Sequence, residues 1–478
     1  MSSPITPLAD GFSAATRAEW LALVAKTLKG AGPESLERRT TDGLSIEPLY
    51  TAEDRRTPLR LTPGLRNTER GWDVRAFVAN SNLAEANTEA LTALASGADS
   101  LLLKIDAGDG SGLPIGNADD LERVLDGVLT DLAPIALDAG LLGPDAARWL
   151  GSVAKASPGA PLALHLDPLS AFAASGASPG PVETHIDAAA SVAVRLCETY
   201  PKSSLFVARG AVVHEAGGSP AWEIAFTVAS AVAYAKALVG AGLTMSEAFA
   251  RIVLGVSIGA EPLGAIAKLR ATRVVWARIA EACAVDLPAR VEARSSRRML
   301  TRADRWTNLI RLTSAGFAAA VGGADAIVLG TFTDALGPPE AFASRMSRNA
   351  QLILMEEAHL GRVVDPAGGS WAMEAQTADL ARAAWDAFVA IEAAGGLVEA
   401  LRSGVVAAAV GKSREALRTA LADGALRMIG VTDFKSAETT PDPQPADPAL
   451  YATPPDPRQA GDDGRCAPLS AVRLEELV

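Results

Sequence analysis

Eight short runs rich in leucine and β-branched residues recur through the middle of this 478-residue chain, and a helical stretch follows most of them. Near-continuous apolar strands that alternate with helices are typical of a parallel sheet with both faces covered. Eight such units predict an α/β fold, a (β/α)8 barrel. An open doubly wound sheet, the alternative, usually has fewer strands. The predicted strands are 72–79, 100–106, 134–139, 162–166, 204–213, 252–258, 289–293 and 326–332.

Composition changes along the chain suggest four parts. Residues 1–70 form an N-terminal arm with one clear helix, which we expect to contact a partner subunit. The barrel with its trailing helices occupies 71–402, and a helical linker occupies 403–440. Residues 441–478 contain eight of the 29 prolines, beside Asp, Ala and Gly. Because such a segment buries too little apolar surface to offset the entropy of ordering, we expect a disordered tail.

Charge and cysteine content exclude several classes of function. The net charge of −12 leaves no basic stripe for nucleic-acid phosphates. The most apolar stretch, 225–242, contains Lys236 and reads as a buried helix rather than a membrane span. The three cysteines are far apart and no histidines have metal-ligand spacing, so we expect neither disulfides nor a metal site. No signal peptide is evident, and we expect a cytoplasmic protein.

Polar residues stand at or near the ends of the predicted strands, where (β/α)8 barrels place their active sites. Their charges could bind a polar ligand or neutralise one another, and without geometry we favour neutralisation. The histidines among them could equally line the mouth without a catalytic role. The candidate mouth residues are Arg75, Asp106, Asp138, His165, Asp167, Arg209, His214, Glu215 and Arg294.

Several long segments, in the correct order, resemble the methylmalonyl-CoA mutase family. The most informative is RMSRNAQLILMEEAHLGRVVDPAGGSWAME at 345–374; others are TRAEWLALVAKTLKG at 16–30, DGLSIEPLYTAED at 42–54 and AKLRATRVVWARI at 267–279. Within the family the chain looks most like the small, or beta, subunit, to judge from WDVRAFVANSNLAEAN at 72–87 and SSRRMLTRADRWTNLIRLTSAGFAAAVGGAD at 295–325. The resemblance implies a mutase barrel that handles acyl-CoA esters with adenosylcobalamin.

The sequence departs from the family pattern at the positions that carry chemistry in catalytic subunits. Phe77 replaces the tyrosine of the R-Q-Y-A-G strand, and His165 replaces the glutamine that binds the substrate. Ser175 stands where an arginine clamps the substrate carboxylate, and Val212 where a histidine donates to the thioester carbonyl. A hydroxyl cannot replace a bidentate guanidinium. The resemblance therefore implies no catalytic residue in this chain.

The cobalamin loop of the family, D-x-H-x-x-G, has no counterpart here, since no histidine follows an aspartate at the required spacing. We therefore expect the barrel alone, without the C-terminal cobalamin-binding domain and with no bound cofactor. The expected partner is a catalytic large subunit that binds adenosylcobalamin and completes a heterodimer. One alternative is the substrate-binding barrel of a split acyl-CoA mutase, with cobalamin on a separate chain. Another is a regulatory module that binds an acyl-CoA or an acidic metabolite.

Overall fold

Eight parallel strands close into a barrel in this computed structural model, which describes residues 11, 13, 15–56, 70–108, 110–435 and 461–478. Each strand pairs with the next along the chain, and the last pairs with the first. The predicted (β/α)8 barrel is confirmed, and each predicted strand overlaps an observed one. The strands are β3 Asp73–Val78, β4 Ser100–Lys104, β5 Ile135–Asp138, β6 Ala163–Leu166, β7 Ser204–Arg209, β8 Ile252–Ile258, β9 Arg290–Ser295 and β10 Ala326–Val328; a short antiparallel pair, β1 Arg38–Arg39 and β2 Ser45–Ile46, precedes them.

Helices surround the barrel because the outward faces of its strands are apolar and need a cover. The helices of the described ranges are α1 Arg17–Thr27, α2 Leu83–Ala95, α3 Ala118–Leu125, α4 Gly143–Val153, α5 Pro168–Ser175, α6 Val182–Thr199, α7 Ala211–Glu215, α8 Pro220–Gly240, α9 Met245–Ala250, α10 Pro262–Ala282, α11 Thr307–Val321, α12 Ala341–Leu352, α13 Trp371–Ala393, α14 Leu397–Arg402 and α15 Val405–Ala422.

Helix α8 covers the stretch that the sequence marks as most apolar. It packs against β7, β8 and α13, and most of its side chains are buried within the protein. Among the described helices it alone is long and apolar enough to cross a membrane, with 67% of the apolar window already buried in the fold. Burial between the barrel and another helix accounts for its composition.

The seam between β10 and β3 is short. Strand β10 has three residues, and only Ala326 and Ile327 pair with β3. Past these two pairs, a cleft of about 470 Å³ lies between the ends of β3 and β10 and the helices α2 and α12.

The family-like segment 345–374 is anchored by one buried arginine of α10. The Arg270 guanidinium donates to both oxygens of Asp365, at 2.9 and 3.0 Å, and to Glu374 at 2.8 Å. It also donates to Thr377 on α13. The backbone of Gly369, at φ +81°, favours glycine in the intervening turn. The segment thus fastens α13 to α10, and its matched residues have packing roles.

The last described segment differs from the disordered tail predicted for 441–478. Residues 461–478 run along the barrel in an ordered path, with two short 3₁₀ turns and a buried Leu469. Backbone hydrogen bonds to barrel loops compensate for its small apolar content, a contribution that composition does not reveal. The remaining part of that prediction, 441–460, lies outside the described residues.

Candidate functional site

The bore of the barrel holds a network of charged side chains. Residues at alternate positions of a strand face the same side, so each strand directs every second residue inward. The Arg75 Nη1 atom lies 2.6 Å from Glu292 Oε2. The two oxygens of Asp138 lie 3.3 Å from Arg209 and 3.0 Å from Arg294. Five of the nine candidate mouth residues therefore meet here: Arg75, Asp138, His165, Arg209 and Arg294.

Glu292 is the centre of this network. Its carboxylate lies 3.8 Å from His165 Nδ1, 3.9 Å from Arg209 Nε and 3.8 Å from Arg294 Nε, besides the close contact with Arg75. Burial raises the pKa of Glu292, but the charges of Arg75, Arg209 and Arg294 outweigh it and lower that pKa to about 2. The carboxylate is ionised at neutral pH and compensates the surrounding guanidiniums.

The remaining bore groups have pKa values set by burial and by these neighbours. Burial would raise the pKa of Asp138, yet Arg209 and Arg294 hold it far below its usual range. Burial, with the nearby arginines, lowers the pKa of His165 to about 3 despite the attraction of Glu292. The imidazole is therefore neutral. Gly255 on β8 leaves room for the Arg209 side chain, since a Cβ there would lie 2.8 Å from Arg209 Cγ.

His214 belongs to a second, separate cluster beneath α7. Its Nε2 atom lies 2.8 Å from Ser296 Oγ, and its Nδ1 atom 3.4 Å from the Glu223 carboxylate, which Lys268 contacts at 2.5 Å. The order serine, histidine, carboxylate matches a nucleophile with its base and orienting group. However, Ser296 is only 1% exposed, and burial lowers the pKa of His214 to about 3. As folded, the cluster presents no accessible nucleophile.

The other three candidate mouth residues serve local structure. Asp106 accepts from the backbone amides of Gly108 and Gly110 in its own loop. Asp167 is the N-cap of α5 and accepts from Tyr234 Oη at 2.5 Å. Glu215 accepts from the backbone amide of Arg297.

Of the positions that depart from the family pattern, His165 lies in the bore network, and Phe77, Ser175 and Val212 lie outside it. Phe77 is 39% exposed, with the Arg294 guanidinium 5.8 Å from its ring centre. The Ser175 hydroxyl donates to backbone carbonyls at the end of α5, including Ala177. Val212 packs against the apolar core.

The cleft beside the seam has room for a small molecule. Its lining is mainly apolar but includes arginine side chains from α12. Arg348 is 9% exposed and forms no ion pair with any residue in the described ranges. Burial lowers the pKa of its guanidinium, and the positive charge of Arg345 nearby lowers that pKa further. The cleft is lined by Arg75, Phe77, Glu89, Asp334, Arg345 and Arg348, among others. Its volume is in the range of small-molecule sites.

Sequence reasoning missed several members of both clusters. Strand alternation was the signal for Glu292, which shares one face of β9 with the predicted Arg294. Glu223, Lys268 and Ser296 come together only through packing of α8 and α10 on the barrel, which no local pattern indicates. The described residues contain no group of three His, Cys, Asp or Glu side chains able to hold a metal ion.

The chain is similar to proteins of one known family over most of its length. The sequence profile described as "Methylmalonyl-CoA mutase" matches residues 39–453. A methylmalonyl-CoA mutase small subunit of Streptomyces virginiae is 40% identical over 469 residues, covering 92% of this chain and 74% of the relative. A probable small subunit of Mycobacterium tuberculosis (strain ATCC 25618 / H37Rv) is 39% identical over 397 residues, covering 78% and 62% respectively. The small subunit of Propionibacterium freudenreichii subsp. shermanii is 34% identical, covering 91% and 72%.

Proposed function

Because this chain belongs to the methylmalonyl-CoA mutase family, we propose that it is the small, non-catalytic subunit of a methylmalonyl-CoA mutase. The family is cobalamin-dependent, and the relatives named small subunit imply a larger partner in a complex. In this proposal a large subunit binds adenosylcobalamin, interconverts methylmalonyl-CoA and succinyl-CoA, and forms a cytoplasmic heterodimer with this chain. The chain stabilises its partner by binding only the folded form, which raises stability by mass action.

The filled bore is the observation that supports a non-catalytic role. Substrate in a (β/α)8 enzyme must reach side chains at the mouth. Here Arg75, Glu292, Asp138 and two further arginines contact one another across that space. Any ligand entering the bore would have to separate buried ion pairs, leaving charges uncompensated at a cost of several kcal/mol.

Three of the four histidines are buried or already bonded through an imidazole nitrogen, which does not suit cobalamin, and the exposed His359 follows Glu357 rather than the aspartate of a D-x-H-x-x-G loop. A histidine ligand to cobalt needs an accessible imidazole nitrogen. His165 and His214 are 3% and 5% exposed and face buried partners. His185 is partly buried, and its Nε2 atom already contacts the Pro179 carbonyl. We therefore assign the cofactor to the partner in this proposal, and no chemical step to this chain.

Co-expression with the large subunit of the same organism tests the proposal. We expect the large subunit to gain solubility and thermal stability from this chain. The variant Glu292→Gln, assayed only if it remains folded by circular dichroism, should not reduce mutase turnover of the complex, because the bore has no catalytic role here. A large subunit that is equally soluble, stable and active alone would contradict the stabilising role. Turnover by this chain with a separate cobalamin-binding chain would instead establish the split enzyme.

A second candidate function, binding of an acidic metabolite or a CoA ester, is favoured by the cleft. The Arg348 guanidinium is buried without an acidic partner in the described structure, and a buried cation is stabilised by an anion. Calorimetry with succinyl-CoA and free CoA would give saturable heat that Arg348→Met abolishes. Glu415→Gln, on the exposed face of α15, is the matched control and should leave the heat unchanged. Absence of saturable heat removes this function and leaves the structural one.

A further inference from the structure

The C-terminal segment 461–478 crosses the carboxyl face of the barrel. It contacts, in order, the chain segments that follow four different strands. The Cys466 amide donates to Gly176 and the Leu469 amide to Ala173, both beyond β6. The Val472 amide then donates to the Glu215 carbonyl beyond β7, and the Leu474 amide to the Arg298 carbonyl beyond β9.

Side chains fix the same path. Leu469 is 4% exposed and belongs to the main apolar core. The Arg473 guanidinium lies 3.3 Å from the Asp334 carbonyl, beyond β10, and 3.4 Å from the Arg297 carbonyl. Gly464 fits against the Ser178 carbonyl so closely that a Cβ would lie 2.6 Å from that oxygen.

Charge complementarity holds the end of the segment. The Glu475 carboxylate accepts from the Arg302 backbone amide at 3.0 Å and lies 3.5 Å from Arg302 Nε. Glu476 follows directly, and the barrel loop beneath carries Arg297, Arg298, Arg302 and Arg305. The acidic residues of segment 461–478 thus meet a basic loop of the carboxyl face.

We propose that residues 461–478 are an intramolecular strap that closes the carboxyl face of the barrel. The strap contacts Glu215 and Arg298, which adjoin His214, and it therefore covers the Ser296–His214 cluster. Its contacts also hold the loops after β6, β7, β9 and β10 in one arrangement. This is the face on which barrels of this type bind ligands. A ligand or a second protein domain reaches that face only after the strap is displaced.

Binding in trans tests the proposal directly. A chain ending at residue 460 is mixed with a fluorescent synthetic peptide of residues 461–478, and binding is followed by anisotropy. We expect saturable binding that Leu469→Asp in the peptide weakens at least tenfold. Ala471→Asp is the matched control, because Ala471 is exposed between two anchors, and should change affinity less than twofold. No binding by a truncated chain with native circular dichroism would overturn the strap.

Thiol reactivity in the full-length chain tests the strap even if the truncated chain fails to fold. Cys466 contacts the Phe172 carbonyl, and burial raises its pKa to about 11. In a Cys197→Ser, Cys283→Ser background, Cys466 should react slowly with Ellman's reagent, and Leu469→Asp should accelerate the reaction at least tenfold. Ala471→Asp should leave the rate unchanged. Reaction at the rate of the free peptide, before any strap substitution, would overturn the proposal.

Discussion

Arg75 on β3 and Glu292 on β9 form an ion pair of 2.6 Å across β10, the short strand that separates them. The pair therefore connects the two strands that flank β10 in the barrel. Arg75 also donates to Ser100 on β4 and to Asp73, which extends the connection around the bore. Three strands, β3, β4 and β9, are thus linked through one guanidinium.

Replacing Glu292 should destabilise the fold strongly. Glu292→Gln leaves three buried arginines short of one negative charge, and breaking such a pair from one side costs about 3–5 kcal/mol. Urea unfolding at pH 7 measures this loss. Glu415→Gln, which removes an exposed pair with Arg418, is the control and should cost less than about 1 kcal/mol. Equal effects of the two substitutions would contradict the central role of Glu292.

His165 should make the fold sensitive to acid. Its pKa is about 3 in the folded chain and about 6.5 when exposed, so the unfolded chain binds its proton first as the pH falls. Stability is therefore lost from about pH 6.5 down to about 3. His165→Asn should remove about 2 kcal/mol of the stability difference between pH 7 and pH 5.

Asparagine suits this substitution because His165 has a φ of +47°, a conformation that asparagine adopts more readily than most residues. Urea unfolding of both chains at the two pH values gives the measurement. His359→Asn is the control, since that histidine is exposed and also has a positive φ, of +55°. An unchanged pH dependence in His165→Asn would show that the bore accommodates the imidazolium.

Arg270→Lys should also be destabilising, although both side chains are cationic. Lysine cannot donate to Asp365 through two parallel bonds while reaching Glu374 and Thr377, so at least one buried acceptor loses its partner. We expect a loss of about 2–3 kcal/mol. Arg278→Lys, which keeps a cation above the Trp385 ring, is the matched control on the same helix. A thermal shift of Arg270→Lys no larger than that of the control would contradict the anchoring role.

Periodicity made the barrel predictable, whereas the site was only partly so. Eight apolar runs determine the strands because each must be covered on both faces. Location at or near a strand end also predicted five mouth residues that the structure brings together: Arg75, Asp138, His165, Arg209 and Arg294. The same reasoning grouped His214 with them, but α7 directs it to Ser296 instead. A residue beyond the strand end depends on loop conformation, which alternation does not determine.

The strap was the largest difference between sequence and structure. Segments rich in Pro, Asp and Gly bury little apolar surface, which argues for disorder. Residues 461–478 overcome this through backbone bonds to loops that are distant in sequence, with Leu469 as the apolar anchor. Amino-acid composition describes only the side chains, so it does not reveal order that comes from backbone hydrogen bonds.

Asp167 should have the opposite pH effect to His165. Burial raises its pKa to about 6, above about 3.9 in the unfolded chain, although Arg209 and Tyr234 oppose the shift. The stability from this group is present below pH 4 and is lost as the pH rises through 6. Asp167→Asn retains a neutral acceptor for Tyr234 and a good N-cap for α5. The variant should exceed the original chain by about 2 kcal/mol at pH 8 and match it at pH 4.

Urea unfolding at pH 4, 6 and 8 measures the Asp167 effect, with Asp145→Asn as the control. Asp145 is exposed and pairs with Arg148 one turn away, so its loss should change stability little at any pH. The distinguishing result is a stability difference that grows between pH 4 and pH 6 and then stays constant, because a simple loss of packing would lower stability equally at all three values. A variant less stable than the original chain at pH 8 would show that the ionised carboxylate, through Arg209, stabilises the fold.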